Sequence, residues 1–294
     1  MGPAFGTYNH HTNMTRRNDP VARALWFIES HLREELTLEK IEPALGVSRF
    51  HLSRAFSATT GRPIMHYVRA RRLSEAARLL SAGAPDILSV ALDAGYASHE
   101  AFTRAFREQF GLTPEALRAE ANLDRIVLVT ALRRETTMAL DIQKPRMQTG
   151  NRLLIAGLLE RDFDRIPFAW QRFMPYFGQI PGQIGNVTYG VKANSDDGGN
   201  FEYIAGVEVA TFEDVQRELT RLRLATQTYA IFEHRGHVST IRNTFAEIYG
   251  TWLPQAGLAL ADAPDFERYD ERFDPHTGCG TVELWIPVGT AGCT

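Results

Sequence analysis

The sequence predicts a multidomain chain: an all-α domain of two tandem helix-turn-helix units, then an α+β domain of duplicated strand-helix-strand-strand units. Three observations carry this. The chain repeats itself at an offset of about 50 residues: Gly46-Val47-Ser48-Arg49-Phe50-His51-Leu52-Ser53-Arg54-Ala55-Phe56 returns as Gly95-Tyr96-Ala97-Ser98-His99-Glu100-Ala101-Phe102-Thr103-Arg104-Ala105-Phe106. Apolar periodicity is helical up to Glu135 and alternating from Thr136. Finally, 294 residues exceed what one hydrophobic core usually organises.

Residues 1–17 have no apolar h-region and read as a disordered polar arm, which argues against secretion. Residues 21–32 place Ala22, Leu25, Trp26, Ile28 and Leu32 near the helical period, a packing helix. Thr37 caps the next helix, residues 38–45, and Gly46 ends it. Ser48 then opens the first recognition helix. One stripe holds Leu52, Ala55 and Phe56; the other holds Arg49, Phe50, Ser53, Arg54 and Ser57. The second helix of such a motif lies in the major groove of DNA. There Phe50 can press on a thymine methyl, or instead tuck against a neighbouring helix. Arg54 can fork onto guanine O6 and N7. Pro63 opens a long helix to Leu80, which Gly83 closes, and residues 84–94 form the scaffold helix of the second copy. Its reading stripe is His99, Glu100, Thr103, Arg104 and Arg107. Glu100 either accepts from cytosine N4 or is a first-turn acid favoured by the helix dipole.

Charge supports a DNA partner locally. The net charge is −3, yet residues 48–80 hold seven arginines against Glu75 alone. Arg71 and Arg72 in that stretch are expected to meet phosphates. No apolar run approaches the roughly 18 residues of a membrane span, and two cysteines form no disulfide framework, so a cytoplasmic, nucleoid-associated chain is expected.

Residues 122–135 read as a linker, and residues 136–290 as the second domain. Strands are expected at Met138, Leu140 and Ile142 and at Leu154, Ala156 and Leu158, followed by a helix over residues 166–177. A hairpin of residues 186–192 and 201–210 closes over loop 194–200. The order recurs as a strand (228–235), a helix (238–253) and strands at 266–273 and 281–288. Phe201-Glu202-Tyr203-Ile204 aligns with Val282-Glu283-Leu284-Trp285 in this second repeat. Strand alternation puts Glu283 and Trp285 on one face. A carboxylate beside an indole suits a cation, through charge and cation–π attraction. The alternative is a sheet edge with a solvated glutamate. His276-x-x-Cys279 is half a metal site without a second pair, so no metal is expected. No phosphate loop, dinucleotide fingerprint or Gly-x-Ser-x-Gly is present, so no cofactor and no catalytic residue is assigned.

The second copy resembles the AraC/XylS family of bacterial regulators in Ala91, Gly95, Tyr96, Phe102, Arg104, Phe106 and Gly111-x-x-Pro114, and Tyr67-Val68-Arg69-x-Arg71-Arg72-Leu73 fits that family's middle helix. The resemblance covers about residues 18–121 and implies two readers on successive major grooves. Base-reading positions then fall on Phe50, Ser53 and Arg54, and on His99, Glu100 and Arg104. Phe245 to Trp252-Leu253-Pro254, Pro264-Asp265-Phe266-Glu267-Arg268-Tyr269 and Glu283-Leu284-Trp285-Ile286-Pro287-Val288 resemble the gyrase-inhibitory-protein-like (GyrI-like) domain. That resemblance implies a small, hydrophobic and often cationic ligand, with Glu283 as the strand glutamate and Trp170, Phe173, Tyr203, Tyr249 and Trp285 as its aromatic surround. It makes the chain a promoter-binding, ligand-sensing regulator and leaves RNA polymerase open as a further partner. The rival readings are a hydrolase using Glu283 as general base and a drug-sequestering protein.

Overall fold

A computed structural model of the protein describes residues 19–132, 142–194 and 201–290. Contacts divide the chain into two compact units, Met1–Val47 with Pro63–Thr136, and Ser48–Arg62 with Thr137–Thr294. The expected arm, Met138 and Leu140 of the first expected strand, and loop residues 195–200 lie outside the described residues.

The helices, in chain order, are α1 (Pro20–Ser30), α2 (Leu38–Leu45), α3 (Arg49–Thr60), α4 (Ile64–Ser81), α5 (Ile87–Asp93), α6 (His99–Phe110) and α7 (Pro114–Glu120). All but α3 belong to the first unit. Local chemistry sets their ends. Asp19 accepts from the amides of Val21 and Ala22 ahead of α1, and Ser98 accepts from Ala101 ahead of α6. Thr37 occupies the cap position of α2 without a side-chain bond. Gly111 ends α6 in the left-handed region, at φ 75°. The apolar stripes of α4, α5 and α6 close one core around Leu73, Leu80, Ala91, Phe102, Phe106 and Leu117. This is the second helix-turn-helix: α6 buries Phe102, Phe106 and Phe110 and turns Glu100, Arg104 and Arg107 outward.

The second unit is a twisted antiparallel sheet. Its strands are β1 (Arg146–Gly150), β2 (Leu153–Glu160), β3 (Gln183–Ala193), β4 (Glu202–Val209), β5 (Thr220–Leu224), β6 (Gln227–His237), β7 (Leu258–Leu260), β8 (Asp265–Tyr269), β9 (Phe273–Asp274) and β10 (Cys279–Thr290). The order is β1-β6-β10-β8-β3-β4-β2-β5, with β7 and β9 also paired to β10. Two strand-helix-strand-strand units are present, β2-α8-β3-β4 and β6-α9-β8-β10, where α8 is Ile166–Phe173 and α9 is Ile241–Glu247. The expected helix over residues 238–253 is present as an unbroken helical run whose winding changes along its length, from a 3-10 turn through α9 and a π-helical stretch Ile248–Trp252 to a last turn Leu253–Ala256.

Alternation along the strands builds two apolar layers. Ala156, Leu158, Ala205 and Val207 face one way and pack with Phe173 and Trp170 of α8. Ile155, Tyr189, Val191, Ile204, Tyr229, Phe266 and Trp285 face the other way and form their own cluster. Helix α3 packs on α9. Among the described residues, no helix is long and apolar enough to cross a membrane.

Candidate functional site: an aromatic cavity with a buried glutamate

The cavity in the second unit grows from the sheet register. Lys192 of β3 lies opposite Tyr203 of β4 on one side and Asp265 of β8 on the other. Two residues along, Gly190 lies opposite Glu267 and Ala205. Directly paired residues share a face, so Lys192, Tyr203, Asp265, Glu267 and Tyr269 all project to the side that carries α8. Gly190 is the floor. A Cβ there would lie 2.1 Å from the Tyr203 hydroxyl and 2.5 Å from Glu267 Oε2, so only glycine lets those groups meet.

Trp170, Phe163, Phe245, Tyr249 and Phe273 complete the aromatic walls of a space of about 790 Å³. That is ample for a drug-sized molecule. Glu267 Oε2 accepts from Tyr203 Oη at 2.7 Å and from Tyr269 Oη at 2.8 Å, and Trp170 Nε1 donates to Tyr203 Oη at 3.0 Å. Burial pushes the Glu267 carboxyl up to about 7, against the two phenol bonds that favour its charge. Burial, then the neighbouring Glu267 charge, raises both phenols well above their ordinary range. The group is a carboxyl held by neutral donors in an apolar recess. It titrates near neutrality and can gain a positive partner.

Asp265 anchors a second network. Tyr249 Oη donates to Asp265 Oδ2 at 3.0 Å, and Arg54 Nε of α3 pairs with Oδ1 at 3.3 Å. Arg54 Nη2 also donates to the Ala263 carbonyl at 2.7 Å, and His51 Nε2 donates to the Tyr249 carbonyl at 2.6 Å. Arg54 is buried and lines the cavity, and its Nη1 has no hydrogen-bond partner among the described residues.

Of the six expected ligand residues, Trp170, Tyr203 and Tyr249 line the cavity. Phe173 is fully buried in the layer beneath it. Glu283 and Trp285 lie on the opposite face of the sheet, which corrects their expected place. The reason is register: Leu284, not Glu283, lies opposite Glu267, and Glu283 lies opposite Arg268. Glu283 there accepts from Arg146 at 2.8 Å, Arg272 at 2.9 Å, Arg268 at 3.3 Å and the Trp285 indole at 3.0 Å. Burial alone would raise its carboxyl; bonds from Trp285, Arg272 and Arg146 outweigh that and hold it below the ordinary range. The cavity glutamate is therefore Glu267. Its signal was in the Asp265-Phe266-Glu267-Arg268-Tyr269 run, whose alternate residues point into the cavity.

The expected DNA-reading residues are distributed unevenly. On α6, Glu100 and Arg104 are exposed, and His99 pairs with Glu115 at 2.8 Å. The Glu100 carboxyl is lowered by its own amide and by the Ser98 hydroxyl, which supports the first-turn reading. The Thr103 hydroxyl is buried with no hydrogen-bond partner among the described residues. On α3, the Arg49 guanidinium stacks over the half-buried Phe50 ring at 5.0 Å, and Ser53 is half-buried. Arg71 and Arg72 face inward rather than toward solvent. Arg71 donates to Glu29 at 2.8 and 2.9 Å and to Glu75 at 2.8 Å, while Arg72 donates to the carbonyls of Leu32 and Glu34. Both stitch the first unit together, because Glu29 and open carbonyls sit within reach of their face of α4.

Two family models match the chain: the GyrI-like small molecule binding domain over residues 155–289 and a helix-turn-helix domain over residues 43–120. The chain is thus a transcriptional regulator that joins a DNA-binding helix-turn-helix region to a small-molecule-binding domain. It is 28% identical over 274 residues to the transcriptional regulator Rob of Salmonella typhimurium, covering 88% of this chain and 93% of that protein. The right origin-binding protein of Escherichia coli K12 is 28% identical over 282 residues, covering 90% and 96%. The multiple antibiotic resistance protein MarA of Salmonella typhimurium is 34% identical over 108 residues, 36% of this chain and 85% of that protein. This protein belongs to the AraC/XylS family of regulators and carries a GyrI-like domain in its second half.

Proposed function

We propose that the protein is a cytoplasmic, nucleoid-associated promoter-binding regulator whose cavity captures an amphipathic hydrophobic molecule, with positive charge seated against Glu267. The observation that carries the reading is one buried carboxyl on two phenols at the floor of an aromatic recess. Aromatic faces and a carboxylate both attract a cation, and each gains strength where water is excluded. RNA polymerase is the natural further partner of a promoter-bound regulator.

Arg54 supplies the route from ligand to DNA. It stands at a base-reading position by resemblance and walls the cavity through Asp265. Occupancy that draws on Asp265 alters what Arg54 is free to do, so ligand and DNA affinities are linked. The test is a gel-shift titration of promoter DNA with and without tetraphenylphosphonium. A shift in DNA affinity that Asp265→Asn removes supports the reading; a cation that binds the protein and leaves DNA affinity unchanged breaks the link. On the DNA side, Arg104→Ala is expected to weaken specific binding by about 1–3 kcal/mol, with little change on random sequence.

A further inference from the structure

The chain uses lysine three times (Lys40, Lys144 and Lys192) among 32 basic residues, the rest being arginine. Two of the three are ordinary. Lys40 pairs with Glu35 at 2.8 Å, and Lys144 is exposed. Lys192 is different. It lines the cavity, its Nζ sits 5.6 Å from the ring centres of both Phe163 and Phe201, and it makes no hydrogen bond or ion pair among the described residues. Where the rest of the chain almost always carries a guanidinium, this recess holds a primary amine, the one basic side chain that becomes a nucleophile on losing a proton.

We propose that Lys192 is a carbonyl-capturing amine: a hydrophobic aldehyde or ketone enters the cavity and forms a reversible imine at Nζ, with Glu267 carrying the proton. The proposal rests on the cavity being a small-molecule site, but not on the ligand's charge. The neutral amine attacks the carbonyl carbon; the new C–N bond forms as the π pair moves to oxygen, which takes a proton from the Glu267 carboxylic acid. The amine proton returns to the Glu267 carboxylate. Glu267 then protonates the hydroxyl, which leaves as water while the nitrogen lone pair closes C=N as an iminium, and the Glu267 carboxylate takes back the iminium N–H proton to leave the neutral imine. Aldehyde plus amine gives imine plus water, with no oxidant or reductant.

Register puts both groups on one face, since Lys192 lies opposite Asp265 and Glu267 is two residues further along β8, a same-face diagonal neighbour. Burial brings the Lys192 ammonium down to about 8 and the Glu267 carboxyl up to about 7, so near pH 7.5 each group spends a minor but appreciable share of its time neutral. The other charged groups facing Lys192 are Asp265, which favours its ammonium, and Arg54, which opposes it. Phe163 and Phe201 offer the ligand apolar walls and keep bulk water from hydrolysing the imine.

The experiment incubates the full chain with trans-cinnamaldehyde and cyanoborohydride at pH 7.5, followed by intact mass and peptide mapping. Hydride reduction fixes an imine as an amine heavier by the aldehyde less one oxygen. Among the lysines one adduct is expected, on Lys192, formed at least about tenfold faster than on Lys40 or Lys144, since a larger fraction of its amine is neutral; peptide mapping separates it from the α-amino adduct. Lys192→Arg keeps the charge and should abolish that adduct; Glu267→Gln should slow it by about a hundredfold, as loss of a proton carrier does. Tetraphenylphosphonium binding is measured alongside by thermal shift. Cation binding with no preference for Lys192 overturns the imine and leaves the cavity reading standing. A Lys192 adduct without cation binding keeps the imine and removes the cation. Failure of both in a folded protein ends both.

Discussion

Glu267 and Glu283 sit on neighbouring strands, Glu267 half-buried and Glu283 buried, one residue out of step across the β8–β10 register. Their partners make them opposites. Glu267 accepts from two phenols and faces a cavity, and its carboxyl rises to about 7. Glu283 accepts from three arginines and an indole on the far face, and its carboxyl falls. A recessed carboxyl whose hydrogen bonds come only from neutral phenols has no direct ion pair among the described residues, since Lys192 acts on it from a distance, and a ligand can supply one. A carboxylate already ringed by guanidiniums is structural: its charge is matched, and a ligand cation would meet the arginines first.

The largest expected effect separates the two directly. Glu267→Gln should weaken binding of tetraphenylphosphonium by roughly thirty-fold or more, about 2–5 kcal/mol, as loss of one partner of a desolvated charge pair does. Glu283→Gln should change it by less than about threefold. Isothermal titration of both variants checks this; equal losses would mean that the two faces are not distinct in solution.

Stability against pH should separate them again. For Glu267 the folded value lies above the unfolded one, so the folded state holds more protons between pH 4.5 and about 7. Stability is then lost as pH rises through that window, by about 3 kcal/mol from this group, which Glu267→Gln should remove. Glu283 has the opposite sign: its contribution is present above the unfolded value and is lost as pH falls through the lowered folded one. Urea titrations at several pH values read both.

Gly190→Ala tests the floor of the cavity. The added methyl must displace Tyr203 or Glu267, an overpacking that should cost about 1–3 kcal/mol and weaken cation binding without touching the Glu283 network. On stability the smaller effect is expected for Glu283→Gln at pH 7, about 1–2 kcal/mol. Arg146, Arg272 and Arg268 are partly exposed and recover water when their partner is neutralised. Thermal denaturation of the two variants ranks them.

Much of this was legible in order along the chain. Ser98, Gly111 and the Phe102/Phe106 stripe define a helix wherever they occur, because capping and amphipathicity act within a few residues. The β3–β4 hairpin and the duplicated unit followed from alternation and turn residues. Strands β1, β5 and β7 were missed: Arg146–Gly150 has Met147 as its one large apolar residue, Thr220–Leu224 alternates arginine with leucine on a sheet edge, and Leu258–Leu260 is too short for a period to show. The repeat itself held the better answer about the glutamates. Aligning Tyr203 with Leu284 already sets Glu283 on the face away from Tyr203, and only the stand-alone pattern of Glu283 beside Trp285 obscured it.

By itself the sequence determined the helices and their caps, the two-part architecture, the family, and the strands that carry the aromatic and acidic residues, since each depends on neighbours within a turn or a pleat. Tertiary structure decided which of those residues meet. Arg71 looked like a phosphate contact until Glu29, 42 residues away in the chain, was placed against it. Arg54 looked free until Asp265 was brought to its guanidinium. Glu267 acquired its phenols, its burial and its raised carboxyl only when β3, β4 and β8 came into register, with a glycine between them. Burial and charge pairing are sums over long-range neighbours, and no local pattern contains those sums.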